Sequence, residues 1–482
     1  MLQSLSIPTK YQYALLTFTL TCIGLIGGIG KYGYYDDYST LFKKNQNYPG
    51  EFQLWLDGSR PVGHLILRLL WLPARTIDDL IFLHVIGVLL AGVFSLLVYL
   101  YFVRKVNNSF KVCVISTGSV LLSAGIILIA SWPQNNFGVV ALILSTIACL
   151  QFDSVNAVRR LPLITILSVL SFLTYQPSAM LLILLPTVRF VLQVAESSKQ
   201  LNRIECKKQS IRILQHYLVL LLSGLAALSV FKIASSGSPE TLRTTLVGPL
   251  NEKLMFLIKQ AIPTQINFQR TPWDGLPVLG FVCLAIIITS ITVMSLQLKT
   301  VLPILLFLGG AIGSLAPNFL TAENWASSRS LLQGQWFYAS LTLISVIHLI
   351  LFISRYSRVI TALFSIGIAF FSIFQSNQTL DRELRTPQLR ELNAARIEIS
   401  KLDPNSTIFV VKSSWTASLA PWVRADEFGI PSTAGAWVPV PLTKLILAEL
   451  YGDRDFDVQL VDETDSTNQI NFLMMLEEIK SK

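Results

Sequence analysis

Long apolar runs alternate along this chain with short polar or basic connectors. At roughly 20 apolar residues per bilayer crossing, the runs predict about eleven membrane helices. They fall at 11–30, 77–103, 111–131, 137–152, 162–175, 178–194, 213–233, 276–297, 300–320, 335–354 and 358–375. The fourth and fifth are short for a full crossing. Lys and Arg collect in some connectors: Arg104 and Lys105, Arg159 and Arg160, the stretch 199–212, and Arg355 with Arg358. With the N-terminus inside, each of these basic connectors falls on the inner side, as the positive-inside rule requires. The loops 31–76, 234–275 and 321–334 and the C-terminal tail then lie outside.

Two outer stretches carry apolar residues at helical spacing. In 61–73, Val62, Leu65, Ile66, Leu69 and Leu70 recur on one side, and Pro61 suits a first helical position. Arg60, His64 and Arg68 share the opposite face, which predicts an amphipathic helix lying at the membrane surface. The stretch 240–262 is similar, with Leu246, Leu250, Leu254, Leu257 and Ile258. From about residue 376 the pattern changes to a helix at 384–402, a strand at 406–411, a helix at 442–451 and a strand at 458–461. The expected fold is therefore mainly α: a polytopic membrane helical bundle over 1–375, with a small extracytoplasmic α/β domain over 376–482.

Composition agrees with that class. The 482 residues are 52% hydrophobic and 14% charged, with a mean hydropathy of +0.56, far too apolar for a soluble protein of this size. The net charge of +9 sits in the inner connectors, where it matches an anionic leaflet and argues against nucleic acid. Cys22, Cys113, Cys149, Cys206 and Cys283 fall in spans or basic connectors, so neither a disulfide framework nor a Cys/His metal spacing is present. The first apolar run has no small-residue cleavage site before Lys31 and is expected to stay as a membrane helix.

Candidate chemistry gathers in the first outer loop. Asp36 and Asp37 lie within Tyr34-Tyr35-Asp36-Asp37-Tyr38. Glycosyl transfer with inversion needs a base to take a proton from the acceptor hydroxyl, and positive charge to offset a leaving phosphate. One carboxylate can be the base while its neighbour holds Mg²⁺ or Mn²⁺ against that phosphate. The bland alternative is a solvated acidic pair. Asp57-Gly58-Ser59-Arg60-Pro61 then ends a turn on an arginine at a helix start, an arrangement that suits an anion. Asp57 is either a further metal ligand or a partner for Arg60. His64 extends the basic face towards the same phosphate. Asp78 and Asp79 read as charges at a helix N-terminus.

Other outer residues are weighed evenly against plain turns. Tyr175 and Gln176, before Pro177, could line a sugar site; Trp325 could stack on a sugar and Arg329 could meet a phosphate. The loop 234–275 adds Arg270, Trp273 and Asp274. Gly28-Ile29-Gly30-Lys31-Tyr32-Gly33 matches a dinucleotide fingerprint in letters only, because no strand precedes it.

A multi-span chain with an acidic pair in its first outer loop resembles the GT-C superfamily of integral-membrane glycosyltransferases. Asp36-Asp37, then Gly58-Ser59-Arg60-Pro61, then Tyr175-Gln176-Pro177 look similar to the bacterial O-antigen glucosyltransferases of serotype conversion. The resemblance covers roughly 1–375. It implies an inner-membrane enzyme that moves glucose from a polyprenyl-phosphate donor to a surface polysaccharide or lipid-linked glycan on the outer face. Asp36 or Asp37 would then be the base, with Asp37 and Asp57 as metal ligands and Arg60, His64 and Arg329 at the donor phosphate. An outward-facing site fits a lipid carrier, since nucleotide sugars are not at hand there. The rival enzyme is a lipid-linked polysaccharide polymerase or ligase. A transporter or flippase is the rival of another class, but the chain lacks paired halves, and His216, Lys232 and His348 can each sit near a span end.

Overall fold

The structure is a computed structural model that describes residues 9–47, 60–153, 158–197, 203–234, 249–268, 278–320, 324, 326–353, 357–420, 428–462 and 468–481. Among them, nine helices are long and apolar enough to cross a membrane: Lys10–Gly28, Leu80–Val103, Pro133–Phe152, Gln176–Glu196, Lys208–Val230, Val278–Leu298, Leu302–Leu320, Leu332–Ile353 and Val359–Ile399. The chain is a multi-pass membrane protein. Its helices are apolar on both sides, as lipid contact demands. In Leu80–Val103, for example, Phe94, Tyr99 and Phe102 are buried while Phe82, Leu89 and Val93 face outward.

Two of the expected eleven spans take another form. The third is a pair, Ser109–Leu121 and Ala124–Ser131, bent by 69°. A break inside a span frees backbone groups that need partners. Here the Ala124 N–H donates to the Phe268 carbonyl at 3.0 Å, and the Gly125 N–H donates to Gln335 Oε1 at 2.7 Å. The fifth, Leu161–Thr174, has 14 residues, too few for the roughly 20 of a crossing. It stops where Tyr175 turns extended (φ −160°) ahead of Gln176 and Pro177.

The last span continues without a break to Ile399, so residues 375 and 376 lie inside one helix. Three short strands follow: β1 (Ile408–Val411), β2 (Val458–Val461) and β3 (Gln469–Asn471). They form a parallel sheet in the order β2-β1-β3, pairing Ile408 with Val458 and Val410 with Ile470. The helices Pro439–Tyr451 and Phe472–Ser481 pack on it through the buried Leu442, Ile446, Phe472 and Leu476. The three-residue β3 is not expected from the sequence.

The helix at 61–73 forms as Pro61–Trp71. Its buried face is Gly63, Leu67 and Trp71, while Leu65 and Leu69 point outward. Leu250, Leu254 and Ile258 likewise face out from the helical stretch 250–266, whereas Leu257 is buried. Leu246 lies outside the described residues.

Candidate active site

The two aspartates open the helix Asp36–Asn45, and the structure gives them different surroundings. Asp37 is fully buried. Its Oδ2 accepts the Tyr34 backbone N–H at 2.8 Å, and its Oδ1 accepts the Gln134 backbone N–H at 3.0 Å. The first bond ties the chain just ahead of the helix to its first turn. Burial pushes the Asp37 carboxyl well above the usual carboxylate range; the Tyr34 and Gln134 N–H groups pull it down, and neighbouring Asp36 adds to the rise. Asp36 is half-buried, and its Oδ1 accepts the Trp437 indole N–H at 2.7 Å.

Tyr35, just before them, adopts φ 51° and ψ −111°, a backbone region that costs a bulky residue about 1–3 kcal/mol. The C-terminal region holds it there. The Tyr35 N–H donates to Ser432 Oγ at 2.9 Å, and Ser432 Oγ donates to Gln388 Oε1 at 2.6 Å. The Ser432 and Thr433 N–H groups both donate to the buried Glu391 carboxylate at 2.9 Å.

The basic residues come together through Tyr175. The Arg60 guanidinium lies 4.6 Å from the centre of the Tyr175 ring, and its Nε donates to Gln176 Oε1 at 3.3 Å. The Tyr175 hydroxyl donates to the Arg329 carbonyl at 2.8 Å. The Arg329 guanidinium sits 4.7 Å from the centre of the Trp132 ring. Trp132 in turn meets Tyr34 edge-on at 4.9 Å and Tyr35 at 6.3 Å. Residues 34–37, 60, 132–134, 175–176, 329 and 437 thus form one continuous string of contacts.

Two glycines permit these approaches. A Cβ at Gly63 would stand 2.8 Å from the Thr174 carbonyl oxygen, so a bare backbone lets Pro61–Trp71 bring Arg60 beside Tyr175. A Cβ at Gly125 would stand 2.2 Å from the Ser328 carbonyl oxygen and 2.8 Å from Leu332 Cα. Gly125 therefore lets the turn bearing Arg329 close over the broken third span.

Of the expected site residues, Asp36, Asp37, Arg60, Tyr175, Gln176 and Arg329 join this string. His64 stands one turn from Arg60 and is half-buried. Asp57 and Trp325 lie outside the described residues, as do Arg270, Trp273 and Asp274. Asp79 stands at the N-cap of Leu80–Val103, and its side chain accepts the Arg75 and Thr76 N–H groups ahead of that helix at 2.8 Å. The sequence reading missed Trp132, Gln134, Trp415, Ser432 and Trp437. For the first two a signal existed: Trp132-Pro133-Gln134-Asn135-Asn136 interrupts two apolar runs. Gln134 Oε1 and Asn135 Nδ2 are buried without a partner among the described residues, which marks a polar interior beside Asp37.

The expected Mg²⁺ or Mn²⁺ has little to bind among the described residues. Both Asp37 oxygens already accept N–H groups, and no group of three or more His, Cys, Asp or Glu gathers there. Asp57, the other expected ligand, lies outside the described residues.

No family model matches the chain, and no curated relative matches it. Among solved structures it is similar to the oligosaccharyltransferase of Archaeoglobus fulgidus in complex with Zn and sulfate, at 13% identity and a TM-score of 0.45, over 87% of this chain and 62% of that one. A structure of archaeal oligosaccharyltransferase AglB from the same organism, with an inhibitory peptide and a dolichol-phosphate, gives 11% and 0.44 over 88% and 64%. The chain spans less than two thirds of the length of either. Likeness at this level does not carry an activity across.

Proposed function

We propose that this protein is a membrane glycosyltransferase of the GT-C type, moving a hexose, glucose by resemblance, from a polyprenyl-phosphate donor to a surface polysaccharide or lipid-linked glycan. The observation that carries the reading is the meeting of Arg60 and Arg329 through Tyr175, with Trp132 joining them to the aspartate pair. Two guanidiniums linked through Tyr175 and Trp132 to a half-buried carboxylate suit a reaction in which a phosphate leaves and a hydroxyl loses a proton. Leu65, Leu69, Leu250, Leu254 and Ile258, exposed on two surface helices, suit the chain of a lipid carrier.

The roles follow from the surroundings. Asp36 is the base, because Asp37 is fully buried whereas Asp36 is only half-buried. The acceptor hydroxyl attacks the anomeric carbon, its proton passes to Asp36, and the bond from that carbon to the phosphate oxygen breaks. The lipid phosphate leaves with the electron pair towards Arg60 and Arg329. Inversion at the anomeric carbon follows from a single displacement. The site faces the extracytoplasmic side of the membrane.

Sugar transfer from synthetic polyprenyl-phosphate-glucose to surface polysaccharide, by purified protein, tests this. Asp36→Asn should lower the rate at least about 100-fold at an unchanged unfolding midpoint. Full activity in that variant would refute the assignment of the base. Run with and without Mg²⁺, the same assay shows whether a cation adds to the two arginines.

A further inference from the structure

Trp415 and Trp437 belong to the C-terminal region, yet they pack against the first outer loop. Trp415 stacks on Tyr35, with centroids 5.6 Å apart and planes at 30°. Trp437 meets the same ring at 6.2 Å. Both indoles remain about half exposed, at 49% and 50%. The indole N–H of Trp437 donates to Asp36 Oδ1, so rings and carboxylate make one surface. That surface rests on a strained Tyr35 backbone fixed through Ser432 to Gln388 and Glu391.

The surface is aromatic in one part and acidic in another. A pyranose matches it: one face of the sugar presents C–H groups that pack on an aromatic ring, and its rim hydroxyls donate to a carboxylate. A phosphate does not match, because Asp36 opposes it; its complement is at the other end of the string, with Arg60 and Arg329. A bare lipid chain would leave the carboxylate without a polar partner from the ligand. We infer that Trp415 and Trp437, with Tyr35 and Asp36, form the subsite that takes the acceptor saccharide. This rests on the transferase reading above and gives the C-terminal region a part in it: it presents the acceptor hydroxyl to Asp36.

The test uses full-length protein in nanodiscs, titrated with gluco-, galacto- and rhamno-oligosaccharides while tryptophan emission is read. Saturable binding of at least one saccharide is expected. Trp415→Ala should weaken it about tenfold or more, and Trp415→Tyr, which keeps a ring, by no more than about threefold. In transfer to that saccharide, Trp415→Ala should raise the acceptor KM by the same factor and leave the donor KM within about twofold. An unchanged unfolding midpoint shows that each variant is folded. The subsite is overturned if no saccharide alters the wild-type emission, or if binding is undiminished in both Trp415→Ala and Trp437→Phe. Binding that depends on Trp415, with no transfer from any lipid-linked sugar, would instead sink the transferase reading and leave the saccharide site standing.

Discussion

The two ends of the helix Asn136–Phe152 meet buried carboxylates in opposite ways. At its start, Asp37 accepts the Gln134 N–H and faces no salt-bridge partner among the described residues. At its end, Asp153 pairs with Arg189 through both guanidinium nitrogens, and the side chains are 4% and 3% exposed. The helix dipole explains part of the contrast. A helix start is partly positive and tolerates a carboxylate, whereas a helix end is partly negative and needs a cation beside one. Arg189 also lies 4.0 Å from the centre of the Tyr101 ring. Lys111 with Glu196, at 2.8 Å, adds a second ion pair at that end of the bundle. One end is locked by charge; the other keeps a carboxyl with no ion-pair partner among the described residues, next to a second one.

The strongest way to break the comparison is to empty the locked end. Asp153→Ala leaves Arg189 buried and unpaired, and should cost about 3–5 kcal/mol, read as a lower unfolding midpoint in detergent and a lower yield. Adding Arg189→Met should recover most of that loss. If the single variant unfolds like the wild type, the ion pair is not a lock. At the other end, Asp37→Asn keeps the shape but turns an N–H₂ towards one of two N–H donors. It should cost about 1–3 kcal/mol, and transfer per folded molecule should fall less than in Asp36→Asn.

Acid titration sharpens the contrast further. The folded carboxyl of Asp37 is raised, so between the unfolded value, roughly 4, and the folded one, the native state holds the extra proton. Stability from this group is therefore highest in acid and falls as pH rises through that window. The Asn variant should lack this slope in its unfolding curves. Asp78 behaves in the other sense. Burial would raise it, but Lys31 and Arg396 outweigh burial and hold its carboxyl below the usual value. Its contribution is present above the unfolded value and disappears as pH falls through the folded one. Because these side chains are 41% exposed for Asp78 and 31% for Arg396, Arg396→Ala should cost no more than about 1 kcal/mol. A larger loss would mean that Arg396 fixes the C-terminal region through more than its contacts with Asp78 and Glu449.

The periodicity of apolar residues located the nine long helices among the described residues, because lipid contact imposes composition over some twenty residues. It did not locate the break at 122–123. What stabilises that break is distant in sequence: the Phe268 carbonyl and the Gln335 side chain. The surface helix at 61–73 was legible, but its inward face was not, since Gly63 turns inward for space and not for hydrophobicity. Asp36, Arg60 and Arg329 stood out by charge between apolar runs. Trp132, Trp415 and Trp437 did not, because an aromatic residue near a membrane has many uses and its partner sets the one in force. The pairing of residue 36 with residue 437 leaves no trace in local pattern.

The helix Val359–Ile399 sets a height. Its 41 residues run about 60 Å at 1.5 Å each, roughly twice the thickness of a hydrocarbon core. Gln388 and Glu391, which grip Ser432, ride on the part beyond the lipid. The standoff between the bilayer and the tryptophans is therefore counted in residues, like teeth on a rack. One residue added below Gln388 would turn the grip by about 100° and lift it about 1.5 Å. Only near-whole turns would keep it aimed at the loop, so the distance over which this protein can present a ligand comes in steps.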